Sequence, residues 1–105
     1  MPSDLIHDRP DRARFELDLG DGVAFIAYRR RGATLVLTHA EVPAALAGRG
    51  AGSRLVAATL DEVRRRGERI VPQCPFIARF IDRHPAYADL VDSASGDSAA
   101  AAGPL

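Results

Sequence analysis

The sequence predicts one small α/β (α+β) domain with a mixed sheet, its elements in the order β-β-β-α-β-α. Two patterns predict it. From residue 14 to residue 42, three short segments rich in apolar residues are separated by glycine-containing turns, as in an antiparallel meander. From residue 50 the apolar period becomes helical, and a helix–strand–helix succession follows, which implies a parallel pair joined by a crossover. The chain of 105 residues fits one domain.

Residues 1 to 13 are polar with two prolines and are expected to form a flexible N-terminal arm. Phe15, Leu17 and Leu19 alternate with Arg14, Glu16 and Asp18, a strand with one wet face. Gly20-Asp21-Gly22 supplies a hairpin turn. Val23 to Tyr28 is apolar on both faces, as suits a central strand, and Arg29-Arg30-Arg31-Gly32 is expected to be the next turn. In the third strand, Leu35 to Val42, strict alternation places Leu35, Leu37, His39 and Glu41 on one face. Pro43 lacks an amide hydrogen and opens the pairing there.

A helix is predicted from about Gly50 to Arg66, with Leu55, Val56, Thr59, Leu60 and Val63 as its apolar stripe. Gly67 after a basic last turn closes it. Arg69 to Pro72 is a short fourth strand. Pro75 suits the first position of a second helix, with Cys74 at its cap, and Phe76, Ile77, Phe80 and Ile81 as its core stripe. Pro85 ends that helix at His84. The domain thus covers residues 14–91, and residues 92–105, rich in Ala, Ser and Gly, are expected to be a disordered tail.

Fourteen cationic side chains balance fourteen acidic ones, so the net charge is zero. That argues against nucleic-acid binding, which needs a basic surplus, and against steering to an acidic membrane. No apolar run approaches a membrane span, and the first residues lack the pattern of a signal peptide. One cysteine forms no internal disulfide, and a cytoplasmic setting is expected. All fourteen cations are arginine, so no lysine is present as a nucleophile or phosphate ligand. The three histidines and the cysteine lack the spacing of a metal site, and none is predicted.

Gly48-Arg49-Gly50-Ala51-Gly52-Ser53 enters the long helix. Glycines there let a ligand approach the backbone, and the free amides and helix dipole favour an anion. Gly50, Ala51, Gly52 and Ser53 are the natural donors, and Arg49 can add charge. The phosphate loop of nucleotide hydrolases is excluded, because its Gly-Lys-Ser/Thr ending is missing. The alternative is a tight turn with no ligand.

Glu41-Val42-Pro43 followed by Gly48-Arg49-Gly50-Ala51-Gly52-Ser53-Arg54-Leu55 resembles the acetyl-CoA loop of the GNAT acetyltransferase superfamily. That loop reads Arg/Gln-x-x-Gly-x-Gly/Ala. Gly50 and Gly52 match its last two places, Ala47 stands at the Arg/Gln place, and Arg49 is the nearby cation. The likeness covers residues 14 to 91. It is nearest to the small GNAT-like proteins of the YjdJ and N-acetyltransferase domain-containing protein 1 type, through Leu37–Pro43, Val71–Phe76 and Ile81–Tyr87. Like them, this chain lacks the N-terminal helices of full-length GNAT domains. The resemblance implies an acetyl-CoA-dependent acyltransferase. It places the CoA pyrophosphate on Gly50–Ser53 and the pantetheine arm beside Val42.

Cys74, at a helix start, suits a thiolate nucleophile that could take an acetyl group and pass it on. The resemblance points to the same position, and a buried inert cysteine is the alternative. His39 and Glu41, two apart on one strand, share a face and are candidate bases for an amine acceptor; a core histidine and a solvated strand end are the alternatives. Tyr87 is implied by the resemblance as the acid for the leaving CoA thiolate, or else is an aromatic anchor. His84 is read as a helix-terminal residue. The expected partners are acetyl-CoA and an amine or protein acceptor. A non-catalytic CoA-binding module, or an interaction protein using an exposed sheet edge, is the competing reading.

Overall fold

The computed structural model describes residues 6–48 and 50–92. Five strands and two helices follow in order: β1 (Ile6–Arg9), β2 (Arg14–Asp18), β3 (Val23–Arg31), β4 (Thr34–Glu41), α1 (Ala51–Arg66), β5 (Arg69–Pro72) and α2 (Pro75–Arg83). Short 3-10 turns lie at Pro10–Arg12, Ala44–Leu46 and Pro85–Leu90. The sheet runs β1-β2-β3-β4-β5; its first three pairings are antiparallel and β4/β5 is parallel. The mixed α/β sheet predicted from the sequence is present, with one strand more.

Both helices cover the same face. Phe15, Leu17, Ala24, Ile26, Tyr28, Leu35, Leu37 and Ile70 of the sheet form one buried cluster with Leu55, Val56, Leu60 and Val63 of α1 and Ile77, Phe80 and Ile81 of α2. Val36 and Val71, on the reverse face, are buried but stand outside that cluster. The architecture is therefore two layers, with the reverse face of the sheet carrying no helix among the described residues. α1 ends as its sequence requires: Gly67 adopts φ 72°, and its amide reaches the carbonyls of Val63 and Arg64.

Four expectations are corrected. Residues 6–13 are not a loose arm: Ile6–Arg9 pair with Arg14–Leu17 as the sheet edge. Asp8 fixes that strand, accepting from Tyr28 Oη at 2.6 Å and from Arg66 Nη2 at 2.9 Å. Arg29–Arg31 is not a turn but the end of β3; the turn is Gly32-Ala33, with Gly32 at φ 61°. Arg30 explains part of this, since Nη1 pairs with Glu68 Oε2 at 2.9 Å and draws the strand end onto the helix layer.

The third correction bears on function. Tyr28 pairs with Leu37, but Ala27 pairs with His39, so Thr38 is an extra residue in β4. Such a bulge shifts the alternation by one and exchanges the faces. Leu35 and Leu37 point into the core, whereas His39 and Glu41 point to the reverse face and Ala40 and Val42 take the helix side. Thr38 Oγ1 donates to Ala27 O at 3.3 Å across the irregularity. Residues 1–5 and most of the predicted tail lie outside the described residues. Asp92, counted with the tail, is docked: its amide donates to Ile70 O at 2.8 Å and its carboxylate accepts from Thr34 Oγ1 at 2.6 Å.

Candidate functional site: a fork between two parallel strands

β4 and β5 pair only as far as Leu37 and Pro72. There the Leu37 carbonyl accepts from the amides of both Gln73 and Cys74, at 3.0 and 3.1 Å, and the chain turns away into α2. β4 runs on to Glu41 with no strand beside it on that side among the described residues. The fork leaves an unpaired strand edge, whose amides and carbonyls need a partner.

A groove of about 430 Å³ opens over this edge, lined by Ala40 and Val42 of the β4 end, Ala47, Gly48 and Gly50 of the loop, Gly52 and Ser53 of α1, and Phe76 of α2. Three of the lining residues are glycines, so much of the wall is backbone. Gly50, the residue before α1, adopts φ 77°, a conformation that suits glycine. The first bond of the helix runs from Arg54 N–H to Gly50 O at 3.0 Å, and no side chain caps the N-terminus. Among the described residues the amides of Ala51, Gly52 and Ser53 have no acceptor outside the helix, as first-turn donors do, and that turn holds no acidic residue. An anion fits this donor set in charge and direction. Gly52 has a second role. A Cβ built there would lie 2.8 Å from the Phe76 ring, so glycine lets α1 and α2 approach at the groove wall.

On the reverse face beside the same edge, His39 Nε2 lies 3.1 Å from Glu41 Oε1. A carboxylate only accepts, so Nε2 carries the hydrogen of that bond and Nδ1 is left as the basic nitrogen of neutral His39. Both side chains are more than half exposed. The His39 ring lies 6.1 Å from that of Phe25, and the Arg14 guanidinium sits 4.4 Å over the Phe25 ring. Arg14 Nε donates to Glu16 at 2.7 Å; this bond, ahead of the charges of Arg14 and Arg12, holds the Glu16 carboxyl below its usual range.

A family model described as GCN5-related N-acetyl-transferase matches residues 14–90, most of the chain. The chain belongs to the GCN5-related N-acetyltransferase family. The solution NMR structure of a GCN5-like protein from Staphylococcus aureus superposes with a TM-score of 0.63 at 23% identity, covering 88% of this chain and 91% of that one. That likeness extends the family assignment to the fold. No curated protein matches the sequence.

Within this family member, the predicted residues divide. Val42, Gly50, Gly52 and Ser53 line one groove, with Ala51 beside them at the helix start. His39 and Glu41 meet each other on the opposite face. Arg49 lies outside the described residues. Cys74 caps α2 as expected but is buried in the core cluster and lines neither this groove nor the smaller one beside it. Tyr87 is held away from the fork: its hydroxyl donates to Asp61 Oδ1 at 2.8 Å, and burial, then that bond, pushes its pKa up to about 12. A phenol so engaged is a poor acid for a departing thiolate, and its geometry is that of an anchor between α1 and the last turn. Two groove residues escaped the sequence reading. Ala40 needs the bulge to reach the groove. Phe76 reads as core from its helical period, yet it is 41% exposed because it stands at the edge of the stripe, in the first turn.

Proposed function

We propose that the protein transfers acetyl from acetyl-CoA to an amine, with the coenzyme lying across the mouth of the fork. The observation that carries this reading is the start of α1, whose Gly52 and Ser53 line the same groove as Ala40 and Val42 of the β4 end and whose first-turn amides have no acceptor among the described residues. The amides of Ala51, Gly52 and Ser53 hold the diphosphate, and the dipole of α1 adds to the attraction. The β4 edge at Ala40 to Val42 offers backbone groups to the amides of the pantetheine arm, in the manner of an added strand. Acetyl-CoA supplies an activated thioester carbonyl; the protein positions it and manages the acceptor's proton, and as the C–N bond forms the C–S bond breaks and CoA leaves as a thiolate that takes its proton from solvent.

An ammonium must lose a proton before its nitrogen can attack. His39 Nδ1 receives it, and Glu41 orients the ring and stabilises the imidazolium that forms. The bulge at Thr38 supports this division of labour, because it sets the base on the open face while Ala40 and Val42 stay on the coenzyme side. The acceptor then approaches from the reverse face, which in this short chain no described helix covers. The same openness agrees with the resemblance to the small GNAT-like proteins that lack N-terminal helices. Cys74, buried in the core behind the fork and lining neither groove, is assigned a packing role, with direct transfer preferred over a thioester on its sulfur. The engaged Tyr87 hydroxyl favours one second reading, a module that binds CoA without turnover.

Titration calorimetry with CoA and acetyl-CoA tests the reading. Binding is expected, and Gly52→Glu should weaken it by about tenfold or more, through a carboxylate set against the diphosphate and a Cβ that displaces the Phe76 ring from the groove wall. No binding at millimolar ligand removes the proposal. Thiol release with a panel of amines then separates the two readings. His39→Ala should lower the rate with little change in affinity, and Cys74→Ala should retain turnover if transfer is direct.

A further inference from the structure

A second, smaller groove adjoins the first and shares Ser53 and Phe76 with it; its other walls are Arg79, Phe80, Arg83 and His84. It lies across the start of α1 from Ala40 and Val42. A ligand whose diphosphate sits on the α1 amides therefore has two ways out, one along the strand edge and one along α2.

The second way is built for a phosphorylated aromatic group. Phe76, Arg79, Phe80 and Arg83 follow at spacings of three and four, so they form one ridge of α2. Most other arginines of known placement are engaged: Arg9, Arg12 and Arg14 with Glu16, Arg30 with Glu68, Arg64 with Asp89, and Arg65 and Arg66 with Glu62. Arg79 and Arg83 are exposed and make no ion pair or hydrogen bond among the described residues. Two uncompensated guanidiniums on one ridge are ready donors for a phosphomonoester, which they can grip in bidentate fashion. His84 closes the end. Its ring stacks on Phe80 with centroids 4.0 Å apart, and its Nδ1 donates to Phe80 O at 2.8 Å, leaving Nε2 for a ligand. Phe76, with its exposed ring at the junction of the grooves, offers a flat face for a purine.

We propose that the groove of Arg79, Arg83 and His84 binds the 3′-phosphate of the nucleotide end of CoA, making the protein selective for CoA over its 3′-dephosphorylated form. The inference rests on the CoA reading above and adds which end of the coenzyme lies toward α2.

Calorimetry with CoA and dephospho-CoA, on the full chain, tests it. The wild type should bind CoA at least about tenfold more tightly, the effect of one charge-assisted hydrogen bond. Arg79→Gln with Arg83→Gln should bind both ligands alike, near the wild-type affinity for dephospho-CoA. Arg29→Gln, which removes a cation unpaired among the described residues and set on the reverse face, should keep the full preference. Neither arginine of the pair is in an ion pair, so circular dichroism and the melting temperature should be unchanged by the double substitution. Equal wild-type affinity for the two ligands, or a preference that survives the double substitution, overturns this proposal and leaves the CoA reading standing. Failure of both ligands to bind removes the CoA reading and this one with it.

Discussion

Among the described residues, Thr59 is the one polar side chain with no exposed surface, and it sits in the apolar stripe of α1. It is fully buried on α1, and its hydroxyl oxygen has no hydrogen-bond partner. A hydroxyl taken from water with nothing in return costs on the order of 1–3 kcal/mol. Valine has nearly the same shape and lacks the unsatisfied group. Thr59→Val should therefore raise the stability to urea by about 1 kcal/mol, with an unchanged denaturant slope. A loss of stability would mean that the hydroxyl finds an acceptor in solution. The pattern of α1 placed Thr59 in the stripe correctly, because position on a helix follows from spacing alone. It could not show that the hydroxyl goes unmet, because that depends on what the sheet presents opposite.

At the scale of elements, β1 depends on one carboxylate. Asp8 joins the edge strand to β3 through Tyr28 and to α1 through Arg66, whose ion pair with it is about three-quarters shielded from solvent. Asp8→Ala would leave the hydroxyl of Tyr28, a residue that is almost fully buried, without its acceptor. The expected loss is about 1–3 kcal/mol, with faster hydrogen exchange at the amides shared by β1 and β2 and little change in α1. If exchange there stays as slow as in the wild type, the backbone ladder alone holds the strand. This dependence is also why β1 was not legible. Ile6, His7, Asp8 and Arg9 carry one apolar residue between them, so no alternation announces a strand, and the partners that make it one lie 20 and 58 residues away. The helices, with their glycine and proline punctuation and long stripes, were legible almost to the residue. The β4 bulge was not, since Leu35 to Val42 is equally consistent with unbroken alternation. Only the register against β3 reverses the face of His39 and Glu41. The glycine loop was readable because its chemistry is backbone chemistry, whereas Ala40 and Phe76 became groove residues through tertiary placement.

The whole molecule has an unusual alkaline limit. It contains two tyrosines and no lysine, so few groups titrate between the carboxylates and the arginines. Both phenols are held protonated. Burial first, then the hydrogen bond to Asp8, pushes Tyr28 up to about 12, and burial followed by the bond to Asp61 does the same for Tyr87. The ordinary value is 10.0. In the unfolded chain both therefore release their protons first. Above pH about 10 the folded state binds more protons than the unfolded one, so stability falls as pH rises. The contribution is fully present below 10 and is lost as the pH passes through about 12. The two residues tie together distant parts of the domain, β1 to β3 and α1 to the last 3-10 turn, so their ionisation should accompany loss of the whole fold. The ultraviolet signal of phenolate and the circular dichroism signal of the helices should then change together, in one transition above pH 10, in a base titration. Tyr28→Phe should remove about half of the pH dependence, since two equivalent groups supply it. Phenolate appearing while the helices remain intact would show that the two tyrosines ionise in the folded protein and that the alkaline limit is set elsewhere.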